Sequence, residues 1–359
     1  MKKNITAIAL ICLILVAALA GCGGSDDNSA SGETTTTREV VHVHNWGYFI
    51  DRAVLDLFYE EYGIEVIYRE FESNETLYAL LRGGGVVADV IIPSDYMIGR
   101  MIEEDMLYEL NFDNIPNYSL IDPRFRNLAF DPDNKFSVAY KVGVVGLIYN
   151  SARITDPVTS WGALFDPAFA GDILMFDNPR DAFGIALKYL GYSLNTTNED
   201  EIQEAFELLV AQRDILQAYV MDQIFDKLES GEAILGPYYA PDFLTMLYNN
   251  PDLSFVHPVE GANFFVDAMV VPRVAQNRTN AELFINFMSR TDIALANMRF
   301  SYYASANAEA AAIFAEELPS EHRGIVFADD AVYARTEVFL HLPQEILDLY
   351  NRLWIELRS

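Results

Sequence analysis

Between residues 40 and 72 the chain reads VVHVHNW, then DRAVLDLFYEEYG, then IEVIYREFE. The first and last stretches have the β-branched and apolar content of strands, and the middle one has helical periodicity. Asp51 stands where a helix takes its N-cap and Gly63 where a left-handed residue ends one. A strand, a helix and a strand joined by short turns require a right-handed crossover and a parallel sheet. NETLYALLRGGG follows as a second helix with a glycine stop, and ADVIIPSDY as an apolar strand breaking at Pro93. The fold class is therefore α/β, and in such sheets ligands bind beyond the carboxyl ends of the strands. Trp46 follows the first strand, and Ser94 and Tyr96 follow the third.

From Gly146 the alternation restarts. GLIYN reads as a strand, Pro179 to about Leu190 as a helix, roughly Asp200 to Gln212 as another helix, and EAILGPY as a further strand. No internal repeat is present. Two α/β lobes with a cleft between them account for this order.

The first 21 residues carry Lys2 and Lys3, an apolar run and then small residues, the layout of a secretory signal peptide. The run from Ile5 to Ala20 is short for a hydrocarbon core of roughly 30 Å. Leu19-Ala20-Gly21-Cys22 resembles the lipobox of bacterial lipoproteins, which implies a lipid on Cys22. GGSDDNSASGETTTT, residues 23 to 37, reads as a flexible tether, so the folded part is expected to begin near Arg38. Cys12 and Cys22 are the only cysteines, which leaves no thiol for a disulfide or a metal after processing. Removing two lysines with the leader takes the net charge from −29 to −31. That charge argues against nucleic acid, which is met by basic patches; it would attract cationic solutes, and the simpler reading is that surface acid keeps an exported protein soluble.

No nucleophile elbow, P-loop, zincin helix or dinucleotide fingerprint occurs. Gly83, Gly84 and Gly85 follow a helix and serve to stop it. His42 and His44 share a strand face without a third ligand nearby, so no metal or other cofactor is expected. The sharper signal lies in NFFVDAMVVP, residues 263 to 272, where Asp267 interrupts a buried strand. A carboxylate taken out of water costs several kcal/mol unless something positive meets it. In FDNPRDAF, Asn178 caps a helix with Pro179 at its first position and Asp181 in its first turn. Read locally, Asp181 complements the helix dipole; read with Asp267, it is a second carboxylate for a cation. Trp46, Tyr96, Tyr238, Tyr239, Phe265 and Tyr303 fall at or near strand ends or loops; a single ring is more often core, but several around a cleft with carboxylates can sandwich a methylene chain and attract an ammonium.

HNWGYFI, FESNETLYALL, DVIIPSDY, VTSWGALFDPAFAGDIL, NPRDAFGIALKYLGYSLNTT, FFVDAMVVP and AELFINFM resemble, in order and spacing, bacterial spermidine/putrescine-binding proteins. The similarity spans roughly residues 39 to 313, with a weaker echo in LYNRLWIEL. The resemblance implies a two-lobed periplasmic-binding-protein-like fold of type II, each lobe a mostly parallel sheet flanked by helices. It divides the chain into residues 39–146 plus 264–313 and residues 147–263 plus 314–359. It implies an exported, lipid-anchored, monomeric capture protein, not an enzyme, that hands a polyamine to an ABC permease. Position by position, Trp46, Ser94, Tyr96, Asp181, Tyr239, Phe265, Asp267 and Tyr303 fall where the family lines its cleft. Asp267 matches the carboxylate that grips an amine, Trp46, Tyr96 and Tyr303 match the rings beside the carbon chain, and Asp181 stands where Glu is common. Gly47 replaces a threonine and Phe49 a tyrosine, Tyr239 and Phe265 stand for tryptophans, and Asn178 replaces an aspartate that helps hold an ammonium. Two rivals remain: the same fold binding another organic cation or an amino-acid-like solute, and an anchored hydrolase, which would need a histidine beside Ser94.

Overall fold

The computed structural model describes residues 39–359, so the leader, the tether and Cys22 lie outside the described residues. The chain runs β1 (Val40–Trp46), α1 (Arg52–Tyr62), β2 (Glu65–Phe71), α2 (Asn74–Arg82), β3 (Val90–Ile91), α3 (Asp95–Glu103) and β4 (Ser137–Asn150). It continues through β5 (Ile173–Phe176), α4 (Pro179–Leu190), α5 (Glu199–Arg213), β6 (Leu216–Val220), α6 (Gln223–Glu229), β7 (Leu235–Tyr239), α7 (Ala240–Asn249) and β8 (Leu253–Val256). The last part comprises β9 (Phe264–Val270), α8 (Arg278–Met288), α9 (Thr291–Ser301), β10 (Ala304–Ser305), α10 (Ala308–Glu317), α11 (Ser320–Val326), α12 (Asp330–Tyr333) and α13 (Gln344–Arg358).

The opening crossover forms as its residues dictate. The Asp51 carboxylate accepts the Ala53 N–H and Gly63 ends α1 at φ 69°, after which β2 pairs in parallel with β1. β3 joins β1 in parallel but is only two residues long, and the chain turns directly from Pro93 into α3, a helix the sequence pattern did not suggest.

The path of the sheet is β2-β1-β3-β9-β4-β7-β5-β6, with β8 and β10 also on β4. β4 organises it. Its first half, Ser137 to Val144, lies antiparallel to β9, and its second half, Val145 to Asn150, lies antiparallel to β7 and β8. In the first half of the sheet β1, β2, β3 and β4 run one way and β9 the other; in the second half β5, β6, β7 and β8 run one way and β4 the other. The strand expected at Gly146 thus begins nine residues earlier, because SVAYKVGVV is buried throughout and lacks the alternation that marks a half-exposed strand. Helices cover the sheet, and buried side chains form one continuous core.

Candidate functional site

β9 is fully buried, and Asp267 in its middle is 4% exposed. An isolated bridge brings Ser94 beside it, and Ser94 Oγ donates to Asp267 Oδ1 at 2.7 Å. Burial pushes the Asp267 carboxyl up to about 7, against the pull of the Ser94 hydroxyl and the charge of Lys141. Lys141 stands opposite Asp267 in the β4–β9 register. The positive group that a buried carboxylate requires is therefore partly internal, and the sequence analysis did not single it out. Lys141 does not clasp the acid: Nζ donates to Asn297 O at 3.2 Å, Ser301 Oγ at 2.9 Å and Tyr303 O at 3.3 Å, at the end of α9. Burial holds the Lys141 ammonium down at about 7, with the charge of Asp267 working the other way.

Three aromatic residues predicted from separate stretches converge. Phe265 meets Tyr239 edge-on with centroids 5.4 Å apart and Tyr303 at 6.0 Å. Phe49 lies 4.8 Å from Tyr303 and 6.4 Å from Trp46, extending the aromatic wall. Gly143 in β4 permits this: a Cβ there would stand 2.4 Å from the Phe265 ring. Tyr96 sits in a polar frame, donating to Glu75 Oε1 at 2.9 Å and accepting from Asn74 Nδ2 at 3.0 Å. Asn74 Oδ1 in turn accepts the Ser94 N–H at 3.1 Å, so one side chain orients both residues.

Asp181 enters from α4. Asn178 caps that helix as predicted, its Oδ1 accepting the Arg180 N–H at 2.9 Å and the Asp181 N–H at 3.4 Å. The Asp181 carboxylate is 7% exposed and has no hydrogen-bond donor among the described residues. Burial raises it to about 7, with Arg180 opposing. Burial raises the Tyr96 and Tyr239 hydroxyls well above their usual range, and the Asp181 charge adds to the rise of both.

Two carboxylates were missed by the sequence reading. Asp95 follows Ser94 and accepts the Tyr96 N–H at 2.7 Å and the Val266 N–H at 3.2 Å; burial raises it well above the usual range, and Asp267 adds to the rise. Asp242, in the first turn of α7, accepts the Tyr303 hydroxyl at 2.7 Å, and burial carries it to about 7 against that bond. Asp95 was within reach, since it is flanked by two residues already singled out. Asp242 lies in a helix start where an acid has an ordinary explanation, and nothing in the sequence sets it apart. Glu337 is paired with Lys188 at 2.8 Å and with the Ser193 hydroxyl.

A family model described as bacterial extracellular solute-binding protein matches residues 86–328. The chain belongs to this family. The spermidine/putrescine-binding periplasmic protein of Salmonella typhimurium is 32% identical to it over 294 residues, covering 81% of this chain and 84% of the relative. A solved structure assigned to a spermidine/putrescine ABC transporter from Listeria monocytogenes superposes with a TM-score of 0.81 at 36% identity, covering 89% of this chain and 99% of that one. The substrate-binding protein PotD of Streptococcus pneumoniae does so with a TM-score of 0.81 at 32% identity, covering 89% and 98%. The fold of this solute-binding protein is thus the mixed α/β, two-domain periplasmic-binding-protein-like fold that the sequence motifs imply. Ser94, the one serine that a hydrolase reading needed, gives its hydroxyl to Asp267 and not to a histidine.

Proposed function

We propose that this solute-binding protein captures a polyamine, putrescine or spermidine, in the cleft that gathers Asp267, Asp181 and the rings of Trp46, Tyr96, Tyr239, Phe265 and Tyr303. The observation that carries the reading is the state of the two acids: Asp267 is buried with one hydroxyl donor and Asp181 is buried with none. Such groups are stable when ionised only if a cation completes them. Rings beside them suit an alkyl chain between two ammonium groups. The names of the relatives, spermidine/putrescine-binding proteins, support the same ligand class.

The lobes in this reading are residues 39–146 plus 264–313 and residues 147–263 plus 314–359, and support comes from β4 changing partners after Val144. Closure on the ligand replaces ammonium hydration with carboxylates and ring faces, so it depends on the ligand. The protein acts as a monomer held at the outer face of the membrane or in the periplasm by a lipid on Cys22, passes its ligand to an ABC permease, and performs no covalent chemistry.

Arg38–Ser359 forms one compact unit and is the material for the test. Titration calorimetry with putrescine and spermidine side by side is expected to give saturable binding, with thermal stabilisation that grows as RT ln(1 + [L]/Kd). Neither heat nor stabilisation with both would overturn the proposal. Stabilisation only by another organic cation in the same panel would transfer the site to that ligand.

A further inference from the structure

A small cavity adjoins Asp181, walled by Trp161, Val145, Lys188, Phe339 and Asn263. Its free space is that of about one water-sized group. Two of its polar walls lack partners. The Asp181 carboxylate has no donor among the described residues, and Asn263, only 8% exposed, has its Oδ1 buried with no hydrogen-bond partner. An orphaned buried amide oxygen costs about 1–3 kcal/mol, so its retention beside an orphaned carboxylate calls for a donor.

Asn263 is held firmly. Its carbonyl accepts the Val145 N–H at 3.0 Å, it bridges to Glu337, and the Glu337 N–H and the Phe264 N–H fix the backbone on either side. The one cation on the wall is already committed, because Lys188 Nζ pairs with Glu337 at 2.8 Å. What the cavity offers is therefore two acceptors, one of them anionic, in a space too small for a substituted nitrogen.

Building on the ligand class proposed above, we infer that this cavity is a subsite for a terminal primary ammonium, held between the Asp181 carboxylate and Asn263 Oδ1. A primary ammonium brings three N–H donors in about the volume of a water. A dimethylated or trimethylated nitrogen fills the space with methyl groups and leaves both acceptors orphaned. Asn263 thereby becomes a specificity residue for the free end of the chain.

The test titrates Arg38–Ser359, as wild type, Asn263→Leu and Asn263→Asp, with putrescine and with putrescine dimethylated at both nitrogens, and follows thermal unfolding in parallel. Asn263→Leu should bind putrescine at least tenfold more weakly without loss of Tm, because leucine fills the place with apolar atoms. Asn263→Asp, which keeps an oxygen there, should retain binding. Wild type should bind the tetramethylated diamine at least tenfold more weakly than putrescine. Wild-type affinity in Asn263→Leu, equal loss in both variants, or equal binding of the two diamines overturns the subsite while leaving polyamine capture intact. A wild-type protein that binds no primary amine removes both.

Discussion

The buried aspartates separate by what reaches them. Asp89 accepts the N–H groups of His42, Gln276 and Asn277, and Asp131 accepts those of Lys135, Phe136 and Ser137 together with the Ser137 hydroxyl. These acids staple loops, and their lone pairs are occupied. Asp267 has one hydroxyl and a lysine it does not touch. Because burial raises its carboxyl to about 7, the folded protein holds a proton that the unfolded chain releases near 4, so this group's contribution to stability is present below about 4 and is lost as pH rises to about 7. Each such proton changes stability by about 1.4 kcal/mol per pH unit inside that window. Asp267→Asn should therefore leave the ligand-free protein about as stable at pH 4 and more stable than wild type at pH 8, as read by chemical denaturation. The same variant should bind putrescine more than tenfold more weakly, since breaking a buried charge pair costs roughly 2–5 kcal/mol. Unchanged affinity by calorimetry removes Asp267 from the site.

At the scale of elements, the β4–β9 pair and the start of α4 carry the residues of the proposed site. Gly143 leaves room for the Phe265 ring, which touches Tyr239 and Tyr303. Gly143→Ala should force that ring off its rotamer, at about 1–3 kcal/mol of stability and with weaker ligand binding, both measurable by thermal shift with and without putrescine. Asn178→Ala should cost about 1 kcal/mol through the lost cap, and Asn178→Asp should restore it. These elements were unequally readable. α1 and α4 carry their caps in the sequence, and β9 shows itself as an apolar run broken by one acid. β4 did not, because a strand buried on both faces has no alternation, and the lone Lys141 inside it was the same kind of signal as Asp267. Asp242 and Asn263 become site candidates only once α7 and the chain before β9 are folded against the rings and α4.

On the scale of the whole molecule, acidity and the cleft act over different distances. The net charge of −29 draws cations toward the surface within a Debye length, about 8 Å at physiological salt, and this raises encounter rates without choosing a ligand. In the proposed function selection would fall to the buried acids, and Asp181, Asp242 and Asp267 are each raised to about 7 chiefly by burial. Near pH 6 these groups hold protons, while a bound diammonium requires them ionised. Binding must then expel protons, and Lys141, also near 7, adds to the release when a second cation arrives beside it. The sign is fixed: a ligand that prefers the deprotonated site binds more weakly as pH falls. Calorimetry at pH 6 in buffers of different ionisation enthalpy should show net proton release on putrescine binding, shrinking toward zero above pH 8, with affinity rising over the same interval. An affinity constant from pH 6 to 8, with no proton exchange at pH 6, would mean that the ammonium groups do not meet these carboxylates.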